Sequence, residues 1–304
     1  MTAVPRRNTL ILWAAALLTA CALSPDEILP PVAPGRDLAY ASFGIAGRYD
    51  IFRLSANASV DTNLTLASSY DFWPSWSPDG SQFVFESNRN DTTELDLFIF
   101  DMASSNVTQV TFDSGFSHSQ PAWSPAGNRI AFSSNRDSAG LDIYMMDPDG
   151  GNIRRLTNES HDDGQPTWSP NGDRIAFVSN RTGNIDIFVI DTLGGAPVNI
   201  TNDAANELAP AWSPAGGRIA FHSDRDPTGF AIWVMDTTGA NATKISPTNP
   251  DCELPDWDPN GLRIAYDCDG DIWVSDSAGG NRVRITRTSN TQRLESMARW
   301  RRGP

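Results

Sequence analysis

The chain of 304 residues is poor in the residue types that build metal clusters and cationic surfaces. It has three cysteines and three histidines, which is too little material for a zinc cluster or a disulfide-dense miniprotein. Lys244 is its only lysine, and 23 Lys and Arg residues against 37 Asp and Glu residues give a net charge of −14. Because proteins bind nucleic acids mainly through basic surfaces that meet phosphates, we expect no nucleic-acid partner.

The sequence also lacks the motifs that mark common catalytic centres. There is no G-x-S-x-G nucleophile elbow, no H-E-x-x-H zinc motif and no Walker-type glycine loop. We therefore predict no catalytic residue and expect no resident cofactor, although dispersed loop residues can form a catalytic site without any such motif. A binding role is the first hypothesis that remains.

The first 20 residues are typical of a secretory signal. Arg6 and Arg7 precede a short apolar run over residues 10–18. This run is far shorter than the about 20 residues that cross a hydrocarbon core, which disfavours the alternative of a transmembrane anchor. Residues 18–21, Leu-Thr-Ala-Cys, resemble the bacterial lipobox, in which the cysteine receives a diacylglycerol. We predict a signal peptide over 1–20 and lipidation of Cys21.

Residues 21–36 follow as a proline-rich tether. Proline has a fixed φ and no amide hydrogen, so this stretch is expected to be extended rather than helical. Its prolines are Pro25, Pro30, Pro31 and Pro34. A lipidated cysteine followed by a tether predicts an exported protein, anchored by lipid to the bacterial cell envelope on its periplasmic face or at the cell surface.

An internal repeat occupies the rest of the chain. The motif Trp-Ser/Asp-Pro-x-Gly recurs five times, and its tryptophans, together with a last one at position 300, are 43–47 residues apart. The five motifs begin at Trp76, Trp123, Trp168, Trp212 and Trp257. Ser or Asp, then Pro, then Gly two residues later is typical of a tight β-turn. Each motif is therefore predicted to end one strand and begin the next.

Each repeat predicts four short strands. The second strand has the form Ile-Ala-Phe, as at 130–132, and the third has the form Asp-Ile-Tyr, as at 142–144. Such runs, apolar at successive positions, are expected of sheets that are covered on both faces. Four strands in units of about 44 residues indicate a β-propeller.

The two ends of the repeat region complement each other. The second-strand pattern occurs six times and begins at 38–40 with no Trp strand before it, whereas the last Trp strand, 296–300, has no second strand after it. We predict that the C-terminal strand completes the first blade and closes the ring, which removes an exposed edge. The predicted fold is an all-β, six-bladed propeller of four-stranded blades over residues 37–304. The alternative, an open stack of repeats, does not explain the matching half-blades.

The repeated pattern P-x-W-S-P-D-G-x-x-I-A-F-x-S-x-R, followed by D-I-Y-x-M-D and L-T, resembles the WD-like β-propeller repeat of the TolB family. The resemblance covers nearly the whole chain after the tether. TolB has an α/β domain before its propeller and is soluble in the periplasm, whereas this chain has only a tether there and carries a lipobox. The family pairs with a peptidoglycan-associated lipoprotein, so the resemblance implies an envelope protein as one expected partner.

The loops that enter the innermost strands of a propeller surround one mouth of its channel. Five residues before each Trp, the sequence places Asp71, His118, Asp163, Glu207, Cys252 and Glu295. We predict that the four acids form a negative ring that binds a cation or a basic segment of a partner. Phe72, Trp73 and Phe116 are predicted as neighbouring contacts. The alternative is that the acids only stabilise turns.

Two histidines suggest a metal site on this same side. His118 and His161 lie in adjacent repeats, and His161 is followed closely by Asp163. Imidazole and carboxylate ligands suit Mn, Fe or Zn, so a divalent cation is the one cofactor that these residues could hold. This site predicts a rival function, a metal-dependent carbohydrate-active lyase or hydrolase. The alternative is that both histidines are ordinary loop residues, because their spacing matches no metal-ligand motif.

Cys252 and Cys268 are predicted to form a disulfide. If Trp257 pairs with Arg263 around the intervening turn, the same antiparallel register places the two cysteines opposite each other. An exported protein meets an oxidising environment in which such a bond persists. The alternative is two free thiols.

The Ser-Asn-Arg triplets at 87–89, 134–136 and 179–181 recur with the fold. We expect their arginines to tie neighbouring blades together rather than to bind a ligand. Taken together, these features predict a non-enzymatic, monomeric envelope lipoprotein whose propeller binds a protein, peptide or glycan.

Overall fold

The computed structural model describes residues 37–43, 48–55, 61–66, 68–90, 93–137, 140–158, 160–247, 251–286 and 295–302. In these ranges the chain is all β, with six sheets of four antiparallel strands. The described part of the chain accordingly has no helix that is long and apolar enough to cross a membrane. The predicted signal peptide, Cys21 and the tether lie outside the described residues.

Each sheet is one blade of the propeller. Blade 1 contains β1 (Leu38–Phe43), β2 (Tyr49–Leu54), β3 (Asp61–Asn63) and β24 (Glu295–Trp300). Blade 2 contains β4 (Asp71–Trp76), β5 (Gln82–Ser87), β6 (Asp96–Asp101) and β7 (Val107–Gln109). Blade 3 contains β8 (His118–Trp123), β9 (Ile130–Ser134), β10 (Asp142–Met146) and β11 (Arg154–Arg155).

The remaining three blades repeat this arrangement. Blade 4 contains β12 (Asp163–Trp168), β13 (Arg174–Ser179), β14 (Asp186–Asp191) and β15 (Val198–Asn199). Blade 5 contains β16 (Glu207–Trp212), β17 (Arg218–Ser223), β18 (Ala231–Asp236) and β19 (Thr243–Lys244). Blade 6 contains β20 (Cys252–Trp257), β21 (Arg263–Cys268), β22 (Asp271–Asp276) and β23 (Val283–Arg284). The channel is bordered by β4, β8, β12, β16, β20 and β24.

The ring closes through the C-terminal strand. β24 pairs antiparallel with β1 and is therefore the innermost strand of blade 1. Just beyond this ladder, the Arg301 amide donates a hydrogen bond to the Asp37 carbonyl at 2.7 Å. The Trp76 indole N–H donates to the Arg299 carbonyl at 3.2 Å and so ties blade 2 to blade 1. The prediction of a closed six-bladed propeller is confirmed.

The hydrophobic core consists of six clusters, one between each pair of adjacent blades. In β13, Ile175 and Phe177 pack toward blade 3, whereas Ala176 between them faces blade 5. The small alanine leaves room there for the Phe221 ring of blade 5. All four side chains are buried, and each large one contributes about 2 kcal/mol. The repeated large–small–large strand therefore shapes the wedge between blades.

The Trp-Ser-Pro-x-Gly motif forms the predicted turn between the first two strands of a blade. In blade 2, the Gly80 amide donates to the Ser77 carbonyl at 2.9 Å. Gly80 has a φ of 69°, and a Cβ there would lie 2.2 Å from the Arg302 carbonyl oxygen. Only glycine fits at this point, where the turn meets the C-terminal segment.

The fourth strands are short, and each is followed by an aliphatic residue and a Thr, or a Ser in blade 5. In blade 3 the Thr157 hydroxyl accepts a hydrogen bond from the Ile143 amide at 2.9 Å and donates to the Asp142 carboxylate at 3.3 Å. Blade 2 repeats this contact between Thr111 and Asp96, at 2.8 Å. The recurrent aspartate of the third strand thus holds the end of the outermost strand.

A disulfide lies within blade 6. Cys252 of β20 is opposite Cys268 of β21, their Cα atoms are 4.2 Å apart, and their sulfur atoms are bonded. The register differs from the predicted one, since Trp257 lies opposite Ile264, one residue further than expected. A β-bulge within β20 shifts the register back before the cysteines are reached, so their pairing depends on this bulge.

Removing the disulfide should lower the stability of the fold. The bond spans a sequence separation of 16 residues, for which restriction of the unfolded chain predicts about 3 kcal/mol. We expect Cys252→Ala/Cys268→Ala to unfold at a lower denaturant concentration than the wild type. Reductant should lower the wild-type midpoint and leave that of the double variant unchanged. Labelling of both thiols in denatured, unreduced protein would contradict the bond.

Candidate binding site in the central channel

The acids predicted to surround a channel mouth are buried at the start of the innermost strands. Asp71, Asp163 and Glu207 are each 0% exposed. Each pairs with an arginine of its own blade at an N–O distance of 2.8–3.1 Å, in the pairs Asp71–Arg89, Asp163–Arg181 and Glu207–Arg225. Burial raises the pKa of Glu207, and its arginine opposes that shift. The predicted ring of free negative charge therefore does not form, because these charges are compensated inside the blades.

The compensating arginines come from the Ser-Asn-Arg triplets and their close variant in blade 5. In blade 4, Arg181 Nε donates to the Ser179 hydroxyl at 2.8 Å, and its guanidinium lies 4.8 Å from the centre of the Phe188 ring. The Asn180 side chain accepts a hydrogen bond from the Asp162 amide at 3.0 Å, at the end of the entering loop. The arginine thus joins strands of one blade and not neighbouring blades, which corrects the expectation from the sequence.

Other residues replace the acid in blades 3 and 6. His118 in blade 3 is buried, and neither of its ring nitrogens has a hydrogen-bond partner among the described residues. Burial lowers its pKa to about 4. In blade 6 the acid is replaced by Cys252, and the arginine position is occupied by Gly270, so both members of the ion pair are absent together. The side chain of Glu295, the corresponding residue of blade 1, lies outside the described residues.

The structure does not bring the candidate metal ligands together. His118 is buried against the Phe132 ring, His161 is exposed, and Asp163 is paired with Arg181. Among the described residues, no group of three His, Cys, Asp or Glu side chains could hold a metal ion. The proposed donor set therefore does not fit a divalent cation.

The three predicted aromatic contacts lie in different surroundings. Phe72 packs against Tyr49, with ring centres 4.6 Å apart. Phe116, in the loop before β8, is 38% exposed. Trp73 lines a cavity in the channel, and its position there results from a backbone irregularity that the sequence analysis did not predict.

Every innermost strand contains a β-bulge around its third residue. The third residues have φ between 47° and 60°, a left-handed conformation that residues other than glycine rarely adopt. They are Trp73, Gln120, Gln165, Ala209, Leu254 and Met297. In five of these strands the next residue is proline, which has no amide hydrogen to donate to a β-ladder. The bulge places the proline outside the ladder and frees the preceding amide for another partner.

Side chains of the preceding blade accept hydrogen bonds from four of these amides. The bonds run from Gln120 N–H to Glu86 Oε2 (2.6 Å), from Gln165 N–H to Gln120 Oε1 (2.9 Å), from Ala209 N–H to Gln165 Oε1 (2.6 Å) and from Leu254 N–H to His222 Nδ1 (3.2 Å). We call these four bonds the inter-blade girdle, because they link blades 2 to 6 in order. They stabilise left-handed residues that each cost on the order of 1–3 kcal/mol.

Two of the girdle acceptors are titratable, and burial favours the neutral form of each. Burial raises the pKa of Glu86 to about 8, although the bond from the Gln120 amide opposes the shift. Burial lowers the pKa of His222 to about 3, and an acceptor nitrogen at Nδ1 requires the neutral ring. The girdle is therefore largely uncharged near pH 7.

A cavity of about 90 Å³ lies at the end of the channel where the innermost strands finish, which is opposite to the predicted mouth. We call this end the Trp end, because the Trp-Ser-Pro turns border it. The polar and aromatic side chains of the cavity wall include Trp73, Gln120, Gln165, Asp256, Arg299 and Arg302. The Arg299 guanidinium lies 5.6 Å from the centre of the Trp73 ring. This cavity is the candidate binding site.

Asp256 is the one acid of the cavity wall. It is buried, and its Oδ2 accepts a hydrogen bond from the Trp300 amide at 2.9 Å. Burial raises its pKa, and the charges of Arg299 and Arg302 oppose this shift. Burial in turn lowers the pKa of Arg299. The wall therefore combines one buried acid with two arginines from the C-terminal segment.

Sequence reasoning missed four polar residues of the cavity, Gln120, Gln165, Asp256 and Arg299. They occupy the third and fifth positions of the innermost strands, which vary from repeat to repeat, whereas the Pro and Trp beside them recur. The signal that could have found them is the variation of these positions between repeats of one chain. Residues that only build the propeller can be the same in every blade, so positions that differ point to another role.

Six four-stranded blades around a polar channel define the chain as a six-bladed β-propeller. Its sequence matches the TolB beta propeller domain family over residues 19–163 and again over residues 96–293. The chain belongs to this family. A comparison with curated proteins finds no match.

Solved structures show the same fold at low sequence identity. TolB from Acinetobacter baumannii gives a TM-score of 0.77 at 20% identity, covering 88% of this chain and 66% of that one. A putative TolB from Agrobacterium tumefaciens gives 0.69 at 19% identity, covering 87% and 98%. An oligogalacturonate lyase in complex with manganese gives 0.60 at 15% identity, covering 84% and 75%. The chain thus spans just under two thirds of the Acinetobacter TolB, and these likenesses are of fold alone.

The raised pKa of Glu86 should make stability depend on pH. The unfolded chain loses this proton near pH 4.5 and the folded chain only near pH 8, so the free energy of unfolding should fall as pH rises between these values. The slope from this one group approaches about 1.4 kcal/mol per pH unit. Glu86→Gln keeps an acceptor for the Gln120 amide and should flatten the slope in denaturation series at pH 5–8.

The matched control for this series is Glu94→Gln, which removes a carboxylate that accepts a hydrogen bond from the Gly115 amide in an exposed contact. This control should retain the wild-type slope. A Glu86→Gln variant with the same pH dependence as the wild type would contradict a buried, protonated Glu86.

Proposed function

We propose that this chain is a non-enzymatic binding protein of the bacterial cell envelope, whose propeller holds a segment of a protein or peptide at the Trp end of its channel. The observation that carries this proposal is the cavity at that end, whose wall combines Trp73 with polar side chains that differ from blade to blade. The recurring residues are enough to build the ring of blades. Side chains that differ around one cavity suit the recognition of a specific partner.

Membership of the TolB beta propeller domain family supports an interaction role. A propeller presents many side chains on one rigid ring, so a partner can be held with little ordering cost in the protein. The inter-blade girdle adds to this rigidity, because it fixes the backbone that carries Gln120 and Gln165. The rival function, a metal-dependent lyase or hydrolase, lacks comparable support, since His118, His161 and Asp163 do not converge.

Photo-crosslinking from the cavity tests the binding proposal. With p-benzoylphenylalanine in place of Trp73, we expect a discrete covalent adduct with an envelope protein in intact cells. The matched control carries the same group at Leu193, which is 87% exposed in the turn between β14 and β15, at the same end of the propeller but off the channel. Equal adducts from both positions, or none from Trp73, would refute binding at this cavity.

We further propose that the protein reaches the envelope through the lipobox at residues 18–21 and is held there by lipid on Cys21. The sequence order Leu-Thr-Ala-Cys directly after a short apolar run supports this. In cells fed a labelled fatty acid, the wild type should carry label in the membrane fraction, and Cys21→Ala should carry none. Cys252→Ala/Cys268→Ala serves as the control and should remain labelled. Equal labelling of the Cys21→Ala variant would refute lipidation at this residue.

A further inference from the structure

The inter-blade girdle fixes which end of two glutamine side chains faces the cavity. Gln120 Oε1 accepts from the Gln165 amide and from the Ser133 hydroxyl, both at 2.9 Å, and Gln165 Oε1 accepts from the Ala209 amide at 2.6 Å. An amide N–H can donate only to an acceptor, so each glutamine must turn its side-chain oxygen, and not its nitrogen, toward that amide. Neither Nε2 group has a hydrogen-bond partner among the described residues, and both glutamines line the cavity. Each therefore offers an NH₂ donor to a ligand.

Two arginines add positive charge to the same wall. Arg299 Nη1 donates to the Ala298 carbonyl at 3.1 Å, and within the described residues neither Arg299 nor Arg302 forms an ion pair. The chain has a net charge of −14, and carboxylates outnumber arginines in it. Asp256 shares the wall, but its carboxylate accepts a hydrogen bond from the Trp300 amide and not from either guanidinium. Four donor groups thus share the wall with a single acid.

The size of the cavity limits what these donors can bind. Its volume is about 90 Å³, which is enough for several water molecules. Such a space admits the end group of a chain or a small anion, but no folded element. Trp73 provides a flat apolar surface beside the Arg299 guanidinium.

We propose that the cavity binds a carboxylate group, carried by an extended peptide that enters from the Trp end. This inference rests on the proposed function and specifies the chemistry that the binding site recognises. Guanidinium and amide donors form charge-assisted hydrogen bonds with a carboxylate, and these bonds are stronger than neutral ones. The same chemistry could come from a peptide C-terminus, from an acidic side chain or from a free small carboxylate, and the test separates these sources.

Isothermal titration of the propeller with matched probes tests the proposal. The probes are N-acetyl-triglycine with a free C-terminus, its C-terminal amide, N-acetyl-Gly-Asp-Gly-amide, and sodium acetate. We expect either peptide with a carboxylate to bind at least about tenfold more tightly than the amide without one. The better of the two identifies the terminal or side-chain source. Acetate that binds as tightly as the peptides would overturn the peptide part, and no saturable binding at millimolar concentration would overturn the whole proposal.

Variants with opposite expected effects separate recognition from a structural role. Gln165→Glu keeps an oxygen for the Ala209 amide but replaces the NH₂ donor with a second oxygen, so carboxylate affinity should fall at least about tenfold. Asp256→Asn keeps an acceptor for the Trp300 amide and removes the only acid, so affinity should rise several-fold. A fold defect alone would lower affinity in both variants. Unchanged affinity in both would overturn the proposal.

Two further variants complete the test. Arg302→Gln removes an exposed charge at the rim and should weaken binding even if Gln165→Glu does not fold. Arg154→Gln, on the outer strand of blade 3, is the control and should bind as the wild type does. If Trp73 crosslinks to a partner but carboxylate probes neither bind nor compete, the proposed function stands and the carboxylate inference fails. If carboxylate probes bind and no partner is crosslinked, the carboxylate inference stands and the proposed function, binding of an envelope protein, fails.

Discussion

In five of the six blades, the channel of this propeller depends on one constraint, which is that a proline in a β-strand cannot donate a hydrogen bond to its neighbour. Five of the six innermost strands have proline as their fourth residue. In these strands a bulge removes the proline from the ladder, and the preceding residue adopts the left-handed conformation that Met297 also has in β24. The amide released in this way must find an acceptor, because an unpaired buried amide is costly. The girdle supplies that acceptor for blades 3 to 6 and, in doing so, aims two glutamines at the cavity.

Charge is handled differently in the blades and in the channel. At the start of the innermost strands, buried acids are matched one to one with arginines, and leaving such an acid unpaired costs about 3–5 kcal/mol. These arginines also stack on aromatic rings of the same blade. At the Trp end the matching stops, since Arg299 and Arg302 share a wall with one acid. The cavity thus holds two arginines that form no ion pair among the described residues, at a place where a ligand could accept hydrogen bonds from them.

Much of the fold could be predicted because it repeats. Recurrent turns, the Ile-Ala-Phe strand and the half-blades at the two ends define the blade number and the closure without any coordinates. The ion pairs were missed because Asp71 and Arg89 are distant along the strands and meet only when antiparallel pairing brings the ends of two strands together. The cavity was missed for a similar reason. Sequence reasoning placed the binding site at the acids and did not connect the recurring proline of the innermost strands with a bulge.

The closing strand β24 has a consequence for how the molecule is made. Blade 1 holds the earliest described strands of the chain, yet its innermost strand contains Trp300, so this blade stays incomplete until β24 has been translated. Until then Leu38 and Tyr40 lack part of the cluster that buries them. Blades 2 to 6 draw all their strands from continuous sequence and can pair as they emerge. Blade 1 is therefore the first blade to begin synthesis and the last to be completed. A chain truncated before β24 would form an open arc in which the inner edge of β1 is unpaired, and quality-control proteases could recognise that edge.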